Sequence, residues 1–387
     1  MGHSEPLPLA HVSDESLAGL RAEFAATAAG HDEAASFPHA NFERLGQLNL
    51  LALTVPKSHG GLGGGLADAA RVVGAVGGGE ASTGLLLAMN YLMHRTLSAN
   101  PGPAYAEIAQ AAVEGRGVLN ALQAEPELGS AIRGGLPGTV ATRLDDGRWR
   151  LDGHKAYATG SPIVGWWLVL ARAGTPEAPL VGTVLVPGKA EGLRVKPTWN
   201  HAGLRASASH QIELDGVVVE AGAALGFHPP GSPELKARRA TVEIWNGVLI
   251  AALYDGIARA GRDWLHGFLH TRKPSNLGAA LATVPRLQGV AGEIETLLLV
   301  NRTLIDDAAR RADDGTGLDP LHAQQVKHLV THNAVRILDL ALSITGNHGL
   351  DRASPLERHY RDALCGRVHA PQSDTVLLNA GKAALGV

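Results

Sequence analysis

Apolar positions change period twice along the chain. Ser13 can cap a helix whose first turn carries Asp14 and Glu15, after which Leu17, Leu20 and Phe24 recur at helical spacing. Further helices are predicted over 66–76 and 83–99, and the glycine-rich run PKSHGGLGGG at 56–65 separates the first of them from what precedes it. From about 116 the period shortens. GTVATRL, RWRLDG, WWLVLAR, PLVGTVLVP and HQIELDGVVV are β-rich runs split by Gly, Pro and Asp-Gly, and Asp145-Asp146-Gly147 suits a hairpin turn. Beyond 233 the helical period returns in long runs over 236–270, 284–313 and 320–344, lengths that pack as an antiparallel bundle. The expected architecture is mainly α with a central β domain. A helical domain covers 1–115, an antiparallel β domain 116–225, and a four-helix C-terminal bundle 226–387.

Composition narrows the class. The 387 residues are 45% hydrophobic and 18% charged, which allows a large core and disfavours long disordered tails. A net charge of −3 gives no electrostatic footprint for nucleic acid or an anionic membrane. The single cysteine, Cys365, excludes an internal disulfide and suits a reducing compartment. The N-terminal run MGHSEPLPLAHVSDE lacks the pattern of a signal peptide, and no apolar stretch reaches membrane-span length. A soluble, cytoplasmic, globular protein is the expectation.

Several stretches carry candidate chemistry. GLGGG is followed by AEPELGS (124–130), GHKAYATGSP (153–162), LRASASHQIELDGVVV (204–219), HTRKPSN (270–276) and GNHGLDRASPLERHYRD (346–362). A loop such as 124–130 can offer backbone N–H groups to a pyrophosphate. Tyr157 and Thr159 should alternate onto one face of a strand, although Tyr157 read alone is a cross-strand packing residue. Arg272 has the rigid fork for a phosphate, or complements a helix dipole. His266/His270 and His328/His332 have paired-ligand spacing without a third ligand, so no metal is expected.

In this order the stretches resemble the acyl-CoA dehydrogenase superfamily over nearly the whole chain. The resemblance implies a flavin, FAD or FMN. It places Glu125 and Ser130 on the loop beside the cofactor, Tyr157 against the isoalloxazine and Thr159 near flavin N5. It makes Arg272 a ligand of a neighbouring subunit's cofactor phosphates, with Gln288 in the adenosine-contacting role, and so implies a homotetramer or homodimer. Gly346 and Gly349 stand where the backbone should approach the cofactor. Departures are also plain: Pro274, Ser275 and Asn276 replace the usual residues after the arginine, and GNHG replaces Gly-Gly-x-Gly.

Acyl-thioester dehydrogenation needs a base for the α-proton. The two base positions implied by the resemblance are filled by Ala353 and Asn246, leaving Glu243, one turn earlier, as a relocated base. His369, eight residues after Arg361, instead resembles the reduced-flavin, oxygen-using monooxygenases of the superfamily, although Ala370 follows where some members carry aspartate. His94 lies on a helix that faces substrate in that fold and could join the site; a packed core histidine is the alternative. The residues thus favour a monooxygenase acting on a small organic substrate with a separate flavin reductase. The alternatives are an FAD-dependent acyl-CoA dehydrogenase using Glu243 and a catalytically silent flavin-binding protein.

Overall fold

The computed structural model describes residues 12–99, 101–128 and 135–387. Helices α1 (Asp14–Ala34), α2 (His39–Gln47), α3 (Leu66–Gly79), α4 (Ala81–Ser98) and α5 (Tyr105–Val113) come first. Ser13 caps α1 by accepting from Ser16 N, and Glu80 caps α4 by accepting from Ser82 N and Thr83 N. In α4 most side chains are buried, because the helix is covered on several sides: by α3, by α6 and by the β region.

Strands β1 (Leu119–Leu122), β2 (Val140–Arg143), β3 (Trp149–Ala158), β4 (Trp166–Gly174), β5 (Pro179–Pro187), β6 (Leu193–Lys196), β7 (His210–Val219) and β8 (Ala224–His228) follow. They form one sheet in the order β6-β7-β3-β2-β4-β5-β8, with β1 paired to β4. The predicted hairpin turn joins β2 to β3, with Gly147 left-handed at φ 87°. The sheet is mostly antiparallel, but β1 and β2 each pair with β4 in parallel, which the antiparallel expectation did not include.

Helices α6 (Pro233–Thr271), α7 (Pro285–Asp313), α8 (Pro320–Thr345), α9 (Asn347–Leu350), α10 (Pro355–Leu364) and α11 (Ser373–Leu385) complete the chain. Proline stands in the first turn of α6, α7, α8 and α10, where its missing N–H leaves no partner wanting. α6 packs on α8, α7 and α10 and also on α3 and α4, so one continuous core runs from the first helices into the bundle. Among the described residues no helix is long and apolar enough to cross a membrane.

Candidate active site

The end of β3 departs from strand geometry. Its pairing with β7 shifts register between Lys155 and Ala158, and Tyr157 is left-handed at φ 58°. That conformation is strained for a bulky residue and points to a local purpose. It also breaks the two-residue alternation: Tyr157 is 58% exposed whereas Thr159 is buried, so the two do not share a face as the strand pattern predicted. The Tyr157 ring meets Trp199 edge-on at 6.5 Å and His201 at 6.4 Å, and those two rings stack at 3.7 Å. Trp199 is fixed by its indole N–H donating to Leu204 O. Beneath this aromatic surface Thr159 Oγ1 lies 2.8 Å from Ser209 Oγ, which lies 2.7 Å from Ser207 Oγ, while Asn120 Nδ2 donates to Thr159 O. The stacked Trp199–His201 pair, with the exposed Tyr157 ring nearly perpendicular to it, offers an apolar surface suited to an aromatic heterocycle.

Glu125 has another task. Its carboxylate accepts from Gly138 N at 2.6 Å, Thr139 N at 3.0 Å, Thr139 Oγ1 at 2.7 Å and Lys155 Nζ at 2.7 Å. Burial alone would raise this carboxyl, but the Lys155 and Thr139 hydrogen bonds outweigh it and hold the group below its ordinary range. The Glu125 side chain is therefore an internal anchor, and any contact of its loop with a cofactor falls to the backbone N–H groups. Ser130 lies outside the described residues.

On the helical side a turn after α10 carries His369. Lys327 of α8 donates to His369 O at 2.6 Å and to Pro371 O at 3.1 Å, and Asn246 of α6 donates to Ala370 O at 3.1 Å. The half-buried His369 ring lies 5.8 Å from that of Tyr254, whose buried hydroxyl has no hydrogen-bond partner among the described residues. Among the described residues no hydrogen bond reaches the imidazole. Burial, with the Lys327 cation adding to it, pushes His369 down to about 3, so the ring is neutral near pH 7. Asn246 thus faces the turn at Ala370. Ala353 is exposed in the approach to α10, its N–H donating to Asp351 Oδ1 at 3.0 Å. Glu243 is 14% exposed at its side chain and accepts from Arg239 Nε at 2.6 Å.

His94 has a separate neighbourhood. Its fully buried ring lies 6.2 Å from that of Tyr105, neither ring nitrogen has a hydrogen-bond partner among the described residues, and burial lowers it to about 3. No contact joins it to His369 among the described residues. Arg272 follows α6 with an exposed side chain, and exposed Gln288 donates to Ala282 O at 2.9 Å. Gly346 is left-handed at φ 56°, which favours glycine. At Gly349 a Cβ would come within 2.2 Å of Thr345 Oγ1, so packing on α8 alone requires glycine there. His328 Nδ1 bonds Ser373 Oγ at 3.0 Å and His332 Nδ1 bonds His328 O at 2.9 Å; among the described residues no metal-ligating group of three assembles.

Sequence reasoning missed Lys327, Tyr254, Trp199, His201 and Ser209. One signal was available: Lys327 sits in the buried stripe Ala323, Lys327, Val330, Ala334, where a cation is out of place. A cleft of about 610 Å³, lined by Thr96, Leu225, His228, Arg238 and Thr241, opens between the end of α4, β8 and the start of α6. None of Tyr157, Thr159 and His369 lines it.

The architecture is thus a helical domain, a β sheet and a helical bundle, with aromatic rings on the sheet and a histidine turn on the bundle. The chain matches the acyl-CoA dehydrogenase N-terminal domain over 13–101, the middle domain over 121–217 and the C-terminal domain over 246–384. It is 30% identical over 370 residues to a putative acyl-CoA dehydrogenase, YdbM, of Bacillus subtilis, covering 94% of each chain. It is 28% identical to the amino sugar nitrososynthase DnmZ of Streptomyces peucetius, covering 89% of this chain and 85% of that one. Its fold matches FMN-bound TdsC of Paenibacillus sp. A11-2 with a TM-score of 0.86 at 21% identity, over 96% of each chain. The chain belongs to the acyl-CoA dehydrogenase family.

Proposed function

We propose that this protein is a flavin-dependent oxidoreductase that uses reduced flavin and oxygen on a small organic substrate. The carrying observation is the turn facing α6, where Asn246, which fills one of the two base positions implied by the resemblance, binds Ala370 O beside the neutral His369. Tyr157 and Thr159 would hold FMN or FAD on the sheet side, with Arg272 and Gln288 reaching its phosphates and adenosine. Bound flavin supplies two-electron transfer and, when reduced, activates oxygen. His369 then supplies an imidazole able to hold or pass one proton in a site that restricts water. Likeness to a nitrososynthase supports this reading.

The test is direct. Purified protein should quench added FMN or FAD; reduced flavin from a separate reductase, with oxygen, should be reoxidised at a rate that changes in His369→Ala. Anaerobic acyl-CoA should leave oxidised flavin unbleached, because general-base assistance worth about 10²–10⁴-fold is missing. Rapid bleaching that is lost in Glu243→Gln would overturn this in favour of a dehydrogenase. That second reading has its own support in the likeness to YdbM and in Glu243 lying near Asn246 on α6.

A homotetramer or homodimer belongs to the same reading. Leu299 and Val300 on α7, Leu329 on α8, and Leu377 and Leu378 on α11 are exposed apolar residues that a second copy would cover. A concentration-independent monomer in light scattering would remove Arg272 from a partner's cofactor site.

A further inference from the structure

Three successive carbonyls of the turn after α10 are held from two helices. Lys327 binds those of His369 and Pro371, and Asn246 binds that of Ala370 between them. Lys327 is 1% exposed and, among the described residues, pairs with no carboxylate. A buried ammonium satisfied by carbonyls alone is costly, and an apolar side chain in the same stripe would avoid that cost. The charged groups around the imidazole come from every element packed on it. They are Lys327 on α8, which acts on the imidazole directly, and the Tyr254 phenol on α6, whose ring lies 5.8 Å from it and which itself feels Asp362 and Cys365. Of these, only Lys327 both touches the turn and acts on the histidine.

We propose that Lys327 is a positioning residue for His369: its ammonium fixes the carbonyls on both sides of Ala370 and so sets the place and surroundings of the imidazole. The like charge behind the ring then disfavours imidazolium, which adds to the effect of burial. A role in turnover rests on the oxygen-using reading above; the hold on the turn does not.

The experiment reads His369 itself. Full-length protein is treated with diethyl pyrocarbonate between about pH 5 and 8, and modification of each histidine is followed by peptide mass spectrometry, with exposed His39 as a control. In the wild type His369 should react slowly, at a rate that is flat with pH, because the ring stays neutral throughout. In Lys327→Met the freed turn should react several-fold faster and show a fall at the acid end, as solvation and loss of the like charge raise the ring toward its ordinary titration. Lys327→Arg, which keeps charge and donors, should restore the slow flat profile. His39 should not change. A folded Lys327→Met protein with the wild-type His369 profile overturns the proposal. Should Lys327→Met not fold, Asn246→Ala releases the central carbonyl alone; it should give a smaller acceleration, and no change there also overturns the held turn. With reduced flavin and oxygen, Lys327→Met should divert more reducing equivalents to hydrogen peroxide. A shifted histidine profile with unchanged peroxide yield would leave Lys327 as the positioning residue and remove His369 from the reaction.

Discussion

Two lysines are buried in this molecule, and they are satisfied in opposite ways. Lys155 of β3 donates to the Glu125 carboxylate and to Leu170 O, so its charge is neutralised within the sheet. Lys327 of α8 meets two carbonyls and no carboxylate. The first arrangement is a closed anchor whose field does not reach far. The second leaves a net positive charge beside a histidine turn, tolerable only because those carbonyl dipoles replace water. Where a buried charge is left uncompensated, function is the better explanation; where it is paired, architecture is.

The largest expected effect breaks the closed anchor. Glu125→Ala leaves Lys155 charged, buried and without its counterion, and should lower unfolding free energy by about 3–5 kcal/mol in urea titration. A loss under about 1 kcal/mol would mean the pair is not closed. The converse change should be milder. Lys155→Met still leaves Glu125 its donors from Gly138 and Thr139, and about 1–3 kcal/mol is expected. Lys327→Met should fall in the same range, since only two carbonyls lose a donor. The two methionine variants are separated by His369 reactivity, which should move only in the second.

Next in size is the pH dependence of unfolding. Burial lowers Lys327 from 10.5 to about 8, so the unfolded chain binds more protons between those values and stability should rise with pH across that window. Burial first, then Glu80 and Asp32, raises Asp362 from 3.8 to about 7, so the folded chain binds more protons there and stability should fall as pH rises between 3.8 and 7. Each group contributes a slope of at most about 1.4 kcal/mol per pH unit. Lys327→Met should flatten the alkaline rise and Asp362→Asn the acid-side fall, measured as unfolding midpoints across pH. Glu125 carries its stabilisation above its ordinary range and loses it as pH falls through its depressed value.

The smallest effect lies two residues beyond Lys155 on the same strand. Tyr157→Gly relieves a left-handed strain of about 1–2 kcal/mol but adds backbone entropy of about 0.5–1 kcal/mol, so stability should change by no more than about 1 kcal/mol. Flavin quenching should drop sharply all the same, and unchanged flavin affinity would remove the platform from the site.

Helix positions were legible because an apolar stripe and a terminal cap are local signals. Ser13 caps α1, and α8 spans Pro320–Thr345 where the period predicted 320–344. The site was only partly legible. Tyr157 and Thr159 were found through resemblance, but the strand period set them on a common face, since a period cannot register the bulge between Lys155 and Ala158. The anchoring of the Glu125 side chain was not legible, because its four donors lie on Thr139, Gly138 and Lys155, residues that a loop pattern does not relate to it. Ala353 was weighed as a base position through resemblance, while the residue that Asn246 meets in the fold, Ala370, lies beyond that motif and was not.

By itself the sequence determined the order helices, sheet, bundle, the caps and prolines that start the helices, and the supply of a histidine near the end of the chain. These follow from spacing among near neighbours, where 3.6- and 2-residue periods act directly. Only the tertiary structure decided that Lys327 would hold a turn 42 residues away and that Lys155 would close on a carboxylate 30 residues away. It also decided that Tyr157 would turn outward. A buried charge chooses its partner from whatever packing brings within hydrogen-bond distance, and that choice is made by the folded core, not by the run of residues around it.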